Sequence, residues 1–105
     1  MRIVILGGTG QIGSAVTDGL IQAYPSAKIL SCSRSGGVAP HQYKFNVYSK
    51  DWSELGQVDV VINAVGIIEE TEENTFQKAH IGVVEKIIEQ SENLGNPMVI
   101  QVSVN

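Results

Sequence analysis

The 105-residue sequence contains little cysteine and no long apolar run. Its single cysteine, Cys32, excludes a disulfide bond within the chain and fits a reducing compartment. No window reaches the length of a membrane span, so we expect none. The apolar stretch at residues 3–6 is too short for a signal peptide and is typical of a strand. These features predict a cytoplasmic protein.

Positive charge is also scarce. Seven lysine and arginine residues stand against eleven aspartate and glutamate residues, which gives a net charge of −4. The basic residues form no stripe, and this argues against nucleic acid or an anionic membrane surface as a partner. With 43% hydrophobic and 17% charged residues, the composition is that of one folded domain covering residues 1–105.

Strands and helices alternate along the chain. Continuous apolar, β-branched runs predict strands buried on both faces, as in a parallel sheet. We therefore predict an α/β Rossmann-like sheet with strand order 3-2-1-4-5. The link at residues 34–42 is too short for a full helix, and residues 51–55 suit one helical turn. The predicted strands are 3–6, 27–33, 43–47, 58–64 and 98–102, and the predicted helices are 11–24 and 75–94.

Each predicted helix has apolar positions at helical spacing and a recognisable end. Pro25 closes the first helix, and Gly95 followed by Pro97 closes the second. The apolar positions of the first helix are Ile12, Ala15, Val16, Leu20 and Ala23. Those of the second are Phe76, Ala79, Val83, Val84, Ile87, Ile88 and Leu94.

A glycine motif, Gly8-x-Gly10-x-x-Gly13, follows the first strand and opens the first helix. This is the context of a dinucleotide-binding loop. Gly8 is expected to permit the tight turn, Gly10 to let the pyrophosphate approach, and Gly13 to let helix and strand pack closely. Free N–H groups and the helix dipole then bind phosphate. The alternatives are a glycine-rich turn without a ligand, and a flavin or S-adenosylmethionine site.

Three segments resemble the short-chain dehydrogenase/reductase superfamily, in its extended or atypical branch. They are Gly7-Gly8-Thr9-Gly10-Gln11-Ile12-Gly13, the segment Asn63-Ala64-Val65-Gly66, and the fifth-strand segment 99–103, which leads to Ser103. The resemblance matches the N-terminal half of a typical member and argues against a flavin or S-adenosylmethionine site. A narrower likeness, carried by Asn63 to Ile67 and by Phe76-x-x-x-His80-x-Gly82, is to atypical members related to the 39-kDa subunit of respiratory complex I.

The resemblance implies a nicotinamide dinucleotide cofactor and a set of residues that hold it. Ser103 lies near the family's catalytic serine, although Val104 follows it where members often carry a small polar residue. The implied cofactor-binding residues are Gly7, Gly8, Thr9, Gly10, Gln11, Ile12, Gly13, Ser33, Arg34, Asn46, Val47, Asn63, Ala64, Val65 and Gly66.

The family's catalytic Tyr-x-x-x-Lys pair follows the fifth strand, and this chain shows no such pair there. Tyr24 and Lys28 have the spacing, but they straddle Pro25 and are expected to lie away from the carboxyl edge of the sheet. We therefore expect no turnover by this chain alone. Two hypotheses stay open: the cofactor-binding half of an oxidoreductase or epimerase-like protein, and a non-catalytic nucleotide-binding sensor or structural module.

The end of the second strand indicates which nucleotide is bound. An acidic residue there would select NAD, but no aspartate or glutamate occurs between Asp18 and Asp51. Ser33-Arg34-Ser35 occupies the position instead, and a guanidinium suits a 2′-phosphate. We therefore favour NADP over NAD; the alternative is a solvated Arg34.

The remaining polar residues favour structural roles. His80 is expected to be a packed or half-exposed helix residue, Trp52 a core or edge anchor, and Gly82 a point of close helix–sheet contact. The acidic residues Glu69, Glu70, Glu72 and Glu73 suit a helix N-terminus, and we expect no metal site. The open edge at the fifth strand predicts a homo-oligomer.

Overall fold

A computed structural model gives the architecture; it describes residues 1–8, 10–65 and 76–102, and the side chains of these residues other than 76–81. The described elements follow the predicted alternation. They are β1 (Arg2–Leu6), α1 (Gln11–Ala23), β2 (Lys28–Ser33), β3 (Gln42–Lys44), a 3₁₀ turn (Ser53–Leu55), β4 (Val60–Asn63), α2 (Phe76–Gln90) and β5 (Met98–Gln101).

The five strands form one parallel sheet in the order β3-β2-β1-β4-β5, which confirms the predicted topology. β1 lies at the centre, with Val4 opposite Leu30 of β2 and Val61 of β4. Ile3, Val4, Ile5 and Leu6 are all buried, because helices cover both faces of this strand.

Two apolar clusters lie on opposite faces of the sheet. On one face Ile3, Ile5, Ile29 and Ile62 pack with α1 through Val16, Leu20 and Ile21. On the other face the larger cluster joins the strands to α2 and to the segment after β3. Its members are Val4, Leu6, Leu30, Cys32, Phe45, Trp52, Leu55, Val58, Val61, Val83, Ile87 and Leu94.

Only part of each predicted apolar face turns inward: Val16 and Leu20 of α1 and Val83 and Ile87 of α2 pack in the clusters, but other predicted positions do not. In α1 the buried residues are Gly13 and Thr17, whereas Ala15 and Ala23 are exposed, because the helix approaches β1 through its smallest side chains. In α2, Val83 and Ile87 are buried but Val84 and Ile88 are exposed. Gln90 takes the next place on the buried face, although it is polar.

Gln90 is buried because its amide satisfies backbone groups of the segment before the 3₁₀ turn. Its Oε1 accepts the N–H of Trp52 at 3.1 Å, and its Nε2 donates to the carbonyl of Lys50 at 3.0 Å. This pair of bonds holds residues 50–52 against α2. A helix glutamine gives no such signal in the sequence.

α2 ends at Gln90, before the predicted end at residue 94, and the turn that follows it closes with the hydrogen bonds of a Schellman motif at Gly95. Gly95 has φ +84°, and its N–H donates to the carbonyl of Glu92 at 3.2 Å. The N–H of Asn96 donates to the carbonyl of Ser91 at 2.8 Å. These two bonds satisfy the carbonyls that a helix C-terminus leaves free.

β3 is shorter than predicted and begins one residue earlier. It pairs only through Gln42, Tyr43 and Lys44, and Phe45 then turns into the core. Asn46 redirects the chain at once, because its Oδ1 accepts the N–H of Tyr48 at 2.9 Å. The strand therefore ends before residue 47.

Cys32 is a free thiol and is buried in β2. Burial and, to a smaller extent, the nearby Glu54 carboxylate raise the pKa of its thiol from 9.0 to about 12. Because the unfolded thiol ionises near pH 9, the unfolded state binds fewer protons above that pH, and this group lowers stability as pH rises from 9 to 12.

We expect Cys32 to resist aromatic disulfide reagents in the native protein. At pH 8 the shift in pKa lowers the thiolate fraction about 1000-fold. Absorbance should therefore show labelling only as the chain unfolds, with a sample in guanidinium as the control. Full labelling of the native protein at the control's rate would contradict the burial of this thiol.

Candidate functional site

The carboxyl ends of β1, β2 and β4 meet at one edge of the sheet, where the strand order reverses direction. β1 connects outward to β2 on one side, and its other neighbour is β4. In open parallel sheets this switch point is where ligands bind. Every described candidate residue ends or follows one of these strands, follows β3, or lies in the first turn of α1.

The turn after β1 is made by Gly7, and this corrects the expectation for Gly8. Gly7 has φ +79°, a left-handed conformation that favours glycine. A Cβ there would also lie 3.1 Å from the carbonyl carbon and oxygen of Ala64. The N–H groups of Gly7 and Gly8 both donate to the carbonyl of Cys32, at 3.1 and 3.0 Å. The loop is thus tied to both neighbouring strands.

Gly8 is a glycine because it lies against β2. A Cβ at this position would be 1.8 Å from Oγ of Ser31. Ser31 is buried and pairs with Thr17 of α1, whose hydroxyl lies 3.3 Å from Oγ of Ser31. The spacing of the glycine motif does not reveal this contact between Ser31 and Gly8.

Gly13 permits close contact between α1 and the loop, as predicted. A Cβ there would lie 2.1 Å from the carbonyl oxygen of Gly7, which is a backbone atom with little room to move. The hydroxyl of Thr17 donates to the carbonyl of Gly13 at 2.7 Å. The first turn of α1 is therefore pressed onto the end of β1.

Gly10 differs from the other loop glycines. It is the N-cap of α1 with φ −67° and ψ 168°, an extended conformation that any residue adopts. Among the described residues, a Cβ there would meet only the carbonyl oxygen of Gly7, at an ordinary contact of 3.5 Å. The described part of the fold therefore leaves room for a side chain at Gly10.

The N-terminus of α1 presents backbone donors at this open position. The first N–H groups of a helix have no partner within it, and no described side chain caps this one. No acidic residue occupies the first turn, where Gln11 is exposed and Ile12 is half-buried. The helix dipole adds partial positive charge, so the site suits an anion such as phosphate.

Arg34 lies directly after β2, on the side of β1 opposite β4. Its side chain is exposed and makes no ion pair within the described residues. The hydroxyl of Ser33 accepts the N–H of Gly36 at 3.0 Å, so it shapes the turn behind Arg34. The guanidinium of Arg34 is positively charged and exposed at the end of β2, so it can bind a phosphate.

The residues after β3 have mainly structural contacts. Oδ1 of Asn46 accepts the N–H of Tyr48, and its Nδ2 has no hydrogen-bond partner among the described residues. Val47 is half-buried and packs against the larger cluster.

Asn63 shapes the turn after β4. It is fully buried; its Oδ1 accepts the N–H of Val65 at 3.1 Å, and its Nδ2 donates to Oε1 of Gln101 at 2.8 Å. The N–H of Ala64 donates to the carbonyl of Leu6 at 2.9 Å. Asn63 therefore holds Ala64 and Val65 at the rim, and Gln101 is its partner from β5, which sequence reasoning missed.

Several predicted residues lie outside the described residues: Thr9, Gly66, Ser103 and the acidic residues Glu69, Glu70, Glu72 and Glu73. The side chain of His80 is likewise not described. Within the described part of the chain, no three histidine, cysteine or acidic residues gather as a metal site would require. No helix there is long and apolar enough to cross a membrane.

Tyr24 and Lys28 lie far from this edge, as expected. Tyr24 is the C-cap of α1 and Lys28 begins β2, so both are at the amino end of the sheet. They line a shallow cavity of about 220 Å³ there together with His41.

Comparison with solved structures supports the architecture. The chain is similar to the crystal structure of a uronate dehydrogenase from Agrobacterium tumefaciens, with a TM-score of 0.70 and 19% identity over 97% of this chain and 40% of that one. It is also similar to a mutated uronate dehydrogenase, with a TM-score of 0.69 and 20% identity over 99% of this chain and 39% of that one. The chain thus spans about two fifths of their length. No protein-family model and no curated protein matches it.

Proposed function

We propose that this chain binds a nicotinamide dinucleotide, NADP(H) in preference to NAD(H), as the cofactor-binding part of an oxidoreductase or epimerase-like protein of the short-chain dehydrogenase/reductase type. The fold shared with two dehydrogenase structures is consistent with this proposal. The narrower likeness to relatives of a complex I subunit stays a prediction. Catalytic activity of a larger protein that contains this chain also stays a prediction.

Gly10 is the observation that carries the proposal. Gly7, Gly8 and Gly13 are each explained by the fold, through a left-handed turn or through a Cβ that has no room. Among the described residues neither reason applies to Gly10, yet it stands at a helix N-terminus that no described side chain caps. A pyrophosphate that lies against the backbone accounts for the absence of a side chain.

The surrounding residues match the parts of a dinucleotide. The donors of α1 suit the pyrophosphate, and Arg34 suits a 2′-phosphate on the adenosine ribose. Asn63 holds Ala64 and Val65 at the rim on the other side of β1. When bound, the nicotinamide supplies a hydride acceptor or donor. The residues of this chain bind and orient it.

A second candidate function is a non-catalytic nucleotide-binding module. It rests on the likeness to relatives of a complex I subunit; Tyr24 and Lys28, at the opposite end of the sheet, bear on neither candidate. On either proposal, we expect the chain alone to show no turnover with carbonyl or sugar-nucleotide substrates.

Thermal unfolding with each nucleotide tests the proposal. A ligand at about 100 times its dissociation constant adds about 2.7 kcal/mol, which is a clear rise in midpoint. We expect a larger rise with NADP⁺ than with NAD⁺, each titrated to millimolar concentration. No rise with either nucleotide would contradict dinucleotide binding, and a larger rise with NAD⁺ would contradict the preference.

Replacing Arg34 by glutamine should weaken NADP⁺ binding about tenfold, because one charge-assisted hydrogen bond to the 2′-phosphate is lost. Binding of NAD⁺, which lacks this phosphate, should be unchanged. Lys28→Gln is the matched control, because it removes the same charge from the other end of β2. Isothermal titration calorimetry measures both. An equal loss for the two nucleotides would remove Arg34 from the 2′-phosphate site.

A further inference from the structure

The turn after β2 folds back onto the neighbouring strand β3. Ser33 fixes this turn, because its hydroxyl accepts the N–H of Gly36 at 3.0 Å and donates to the carbonyl of Gly36 at 3.4 Å. Gly36 takes a left-handed conformation, with φ +67°. A Cβ at Gly36 would lie 3.0 Å from Cβ of Lys44, the last residue of β3. The turn that carries Arg34 is therefore packed against Lys44.

Lys44 and Ser33 lie side by side in the sheet. They are register partners between β3 and β2, and the N–H of Phe45 donates to the carbonyl of Ser33 at 2.8 Å. Oγ of Ser31, two residues earlier in β2, lies 3.3 Å from the hydroxyl of Thr17 on α1. Because side chains alternate along a strand and register partners share a face, Ser33 and Lys44 also lie on the α1 side. Lys44 thus stands at the carboxyl end of β3, one strand away from the end of β2.

The positive charge of Lys44 has no counter-charge within the described part of the chain. Lys44 is exposed and forms no ion pair there. Glu54 accepts a hydrogen bond from the hydroxyl of Tyr43 at 2.9 Å, and Tyr43 packs against the larger cluster on the opposite face of the sheet. No aspartate or glutamate occurs between Asp18 and Asp51. In a chain with a net charge of −4, the ends of β2 and β3 therefore form a cationic corner.

We propose that Lys44 is a second cation for the 2′-phosphate of NADP(H) and acts beside Arg34 as a specificity-determining residue; this inference rests on the proposed binding of that nucleotide. A phosphate monoester carries a charge of about −1.5 to −2 at pH 7, so one guanidinium neutralises only part of it. The ammonium group of Lys44 is a compact charge on a flexible chain, which suits a phosphate oxygen that Arg34 leaves free. NAD(H) has a hydroxyl at this position and gains little from either cation.

Calorimetric titration of NADP⁺ and NAD⁺ tests the role of Lys44. Lys44→Gln should weaken NADP⁺ binding about fivefold, the effect of one exposed ion pair, and should leave NAD⁺ binding unchanged. Lys44→Arg keeps the positive charge and should keep the preference for NADP⁺. Lys28→Gln removes the same charge at the amino end of β2 and is the control. The midpoint of thermal unfolding without nucleotide should stay at the wild-type value, which shows that each variant is folded.

The results separate this inference from the proposed function. If wild type binds NADP⁺ and Arg34→Gln weakens that binding but Lys44→Gln does not, the role of Lys44 is wrong and the proposed function stands. Equal losses of NADP⁺ and NAD⁺ binding in Lys44→Gln would also overturn the role, because the 2′-phosphate is then not what Lys44 meets. Failure of wild type to bind NADP⁺ would contradict the proposed function and this inference together.

Discussion

Gly13→Ala is expected to lower the free energy of unfolding by about 3 kcal/mol, because overpacking against a backbone atom cannot be relieved by a rotamer change. The added Cβ would lie 2.1 Å from the carbonyl oxygen of Gly7 and 2.9 Å from its carbonyl carbon. α1 must move away from β1 to accept it. That movement also disturbs Thr17, which is buried and bonded to the carbonyl of Gly13.

Gly19→Ala is the matched control in the same helix. A Cβ at Gly19 meets nothing within 4 Å, so the substitution should raise stability by about 0.8 kcal/mol through helix propensity alone. Urea unfolding followed by circular dichroism measures both variants. If Gly13→Ala is as stable as Gly19→Ala, the close contact between α1 and the glycine loop is wrong.

Trp52→Ala is expected to lower the free energy of unfolding by about 4 kcal/mol, in the range for large aromatic residues in a core. Trp52 is fully buried in the larger cluster, and its ring meets that of Phe45 edge to face, with centroids 5.3 Å apart. The loss combines lost contacts with a cavity between α2 and the sheet. Guanidinium unfolding followed by circular dichroism gives the value.

Trp52→Phe separates the ring's packing from its polar atom. Among the described residues, Nε1 of Trp52 is buried without a hydrogen-bond partner. Phenylalanine removes that unsatisfied N–H and keeps most of the apolar contact, so we expect a loss below about 1.5 kcal/mol. Equal losses for phenylalanine and alanine would show that Nε1 has a partner that stabilises the fold.

The strand order could be predicted from the sequence because the central strands have an unambiguous pattern. β1 and β4 are continuous apolar runs between turn residues, and right-handed crossovers then leave little choice of strand order. The apolar spacing is less successful for the helix faces. α1 packs through Gly13 and Thr17, whose small volume rather than hydrophobicity allows close approach, and α2 buries Gln90 because the backbone of residues 50–52 needs its amide.

The sequence places the glycine loop correctly between β1 and α1, but it does not give the role of each glycine. The motif identifies the loop, yet only the backbone shows that the left-handed turn falls on Gly7 and that Gly8 packs on Ser31. Hydrogen bonds between distant segments, such as that from Asn63 to Gln101, have no local signal. These contacts depend on tertiary structure, so a single sequence does not reveal them.

The most direct test of the account is calorimetric titration of NADPH into the wild-type chain and into Gly10→Ala, with Gly19→Ala as the control. Gly10→Ala should stay folded, with a cost below about 1 kcal/mol at the N-cap, because its Cβ finds only an ordinary contact. It should bind NADPH at least tenfold more weakly than wild type, whereas Gly19→Ala should bind equally well. Equal binding by Gly10→Ala and wild type would contradict the claim that the cofactor's phosphates lie against this turn.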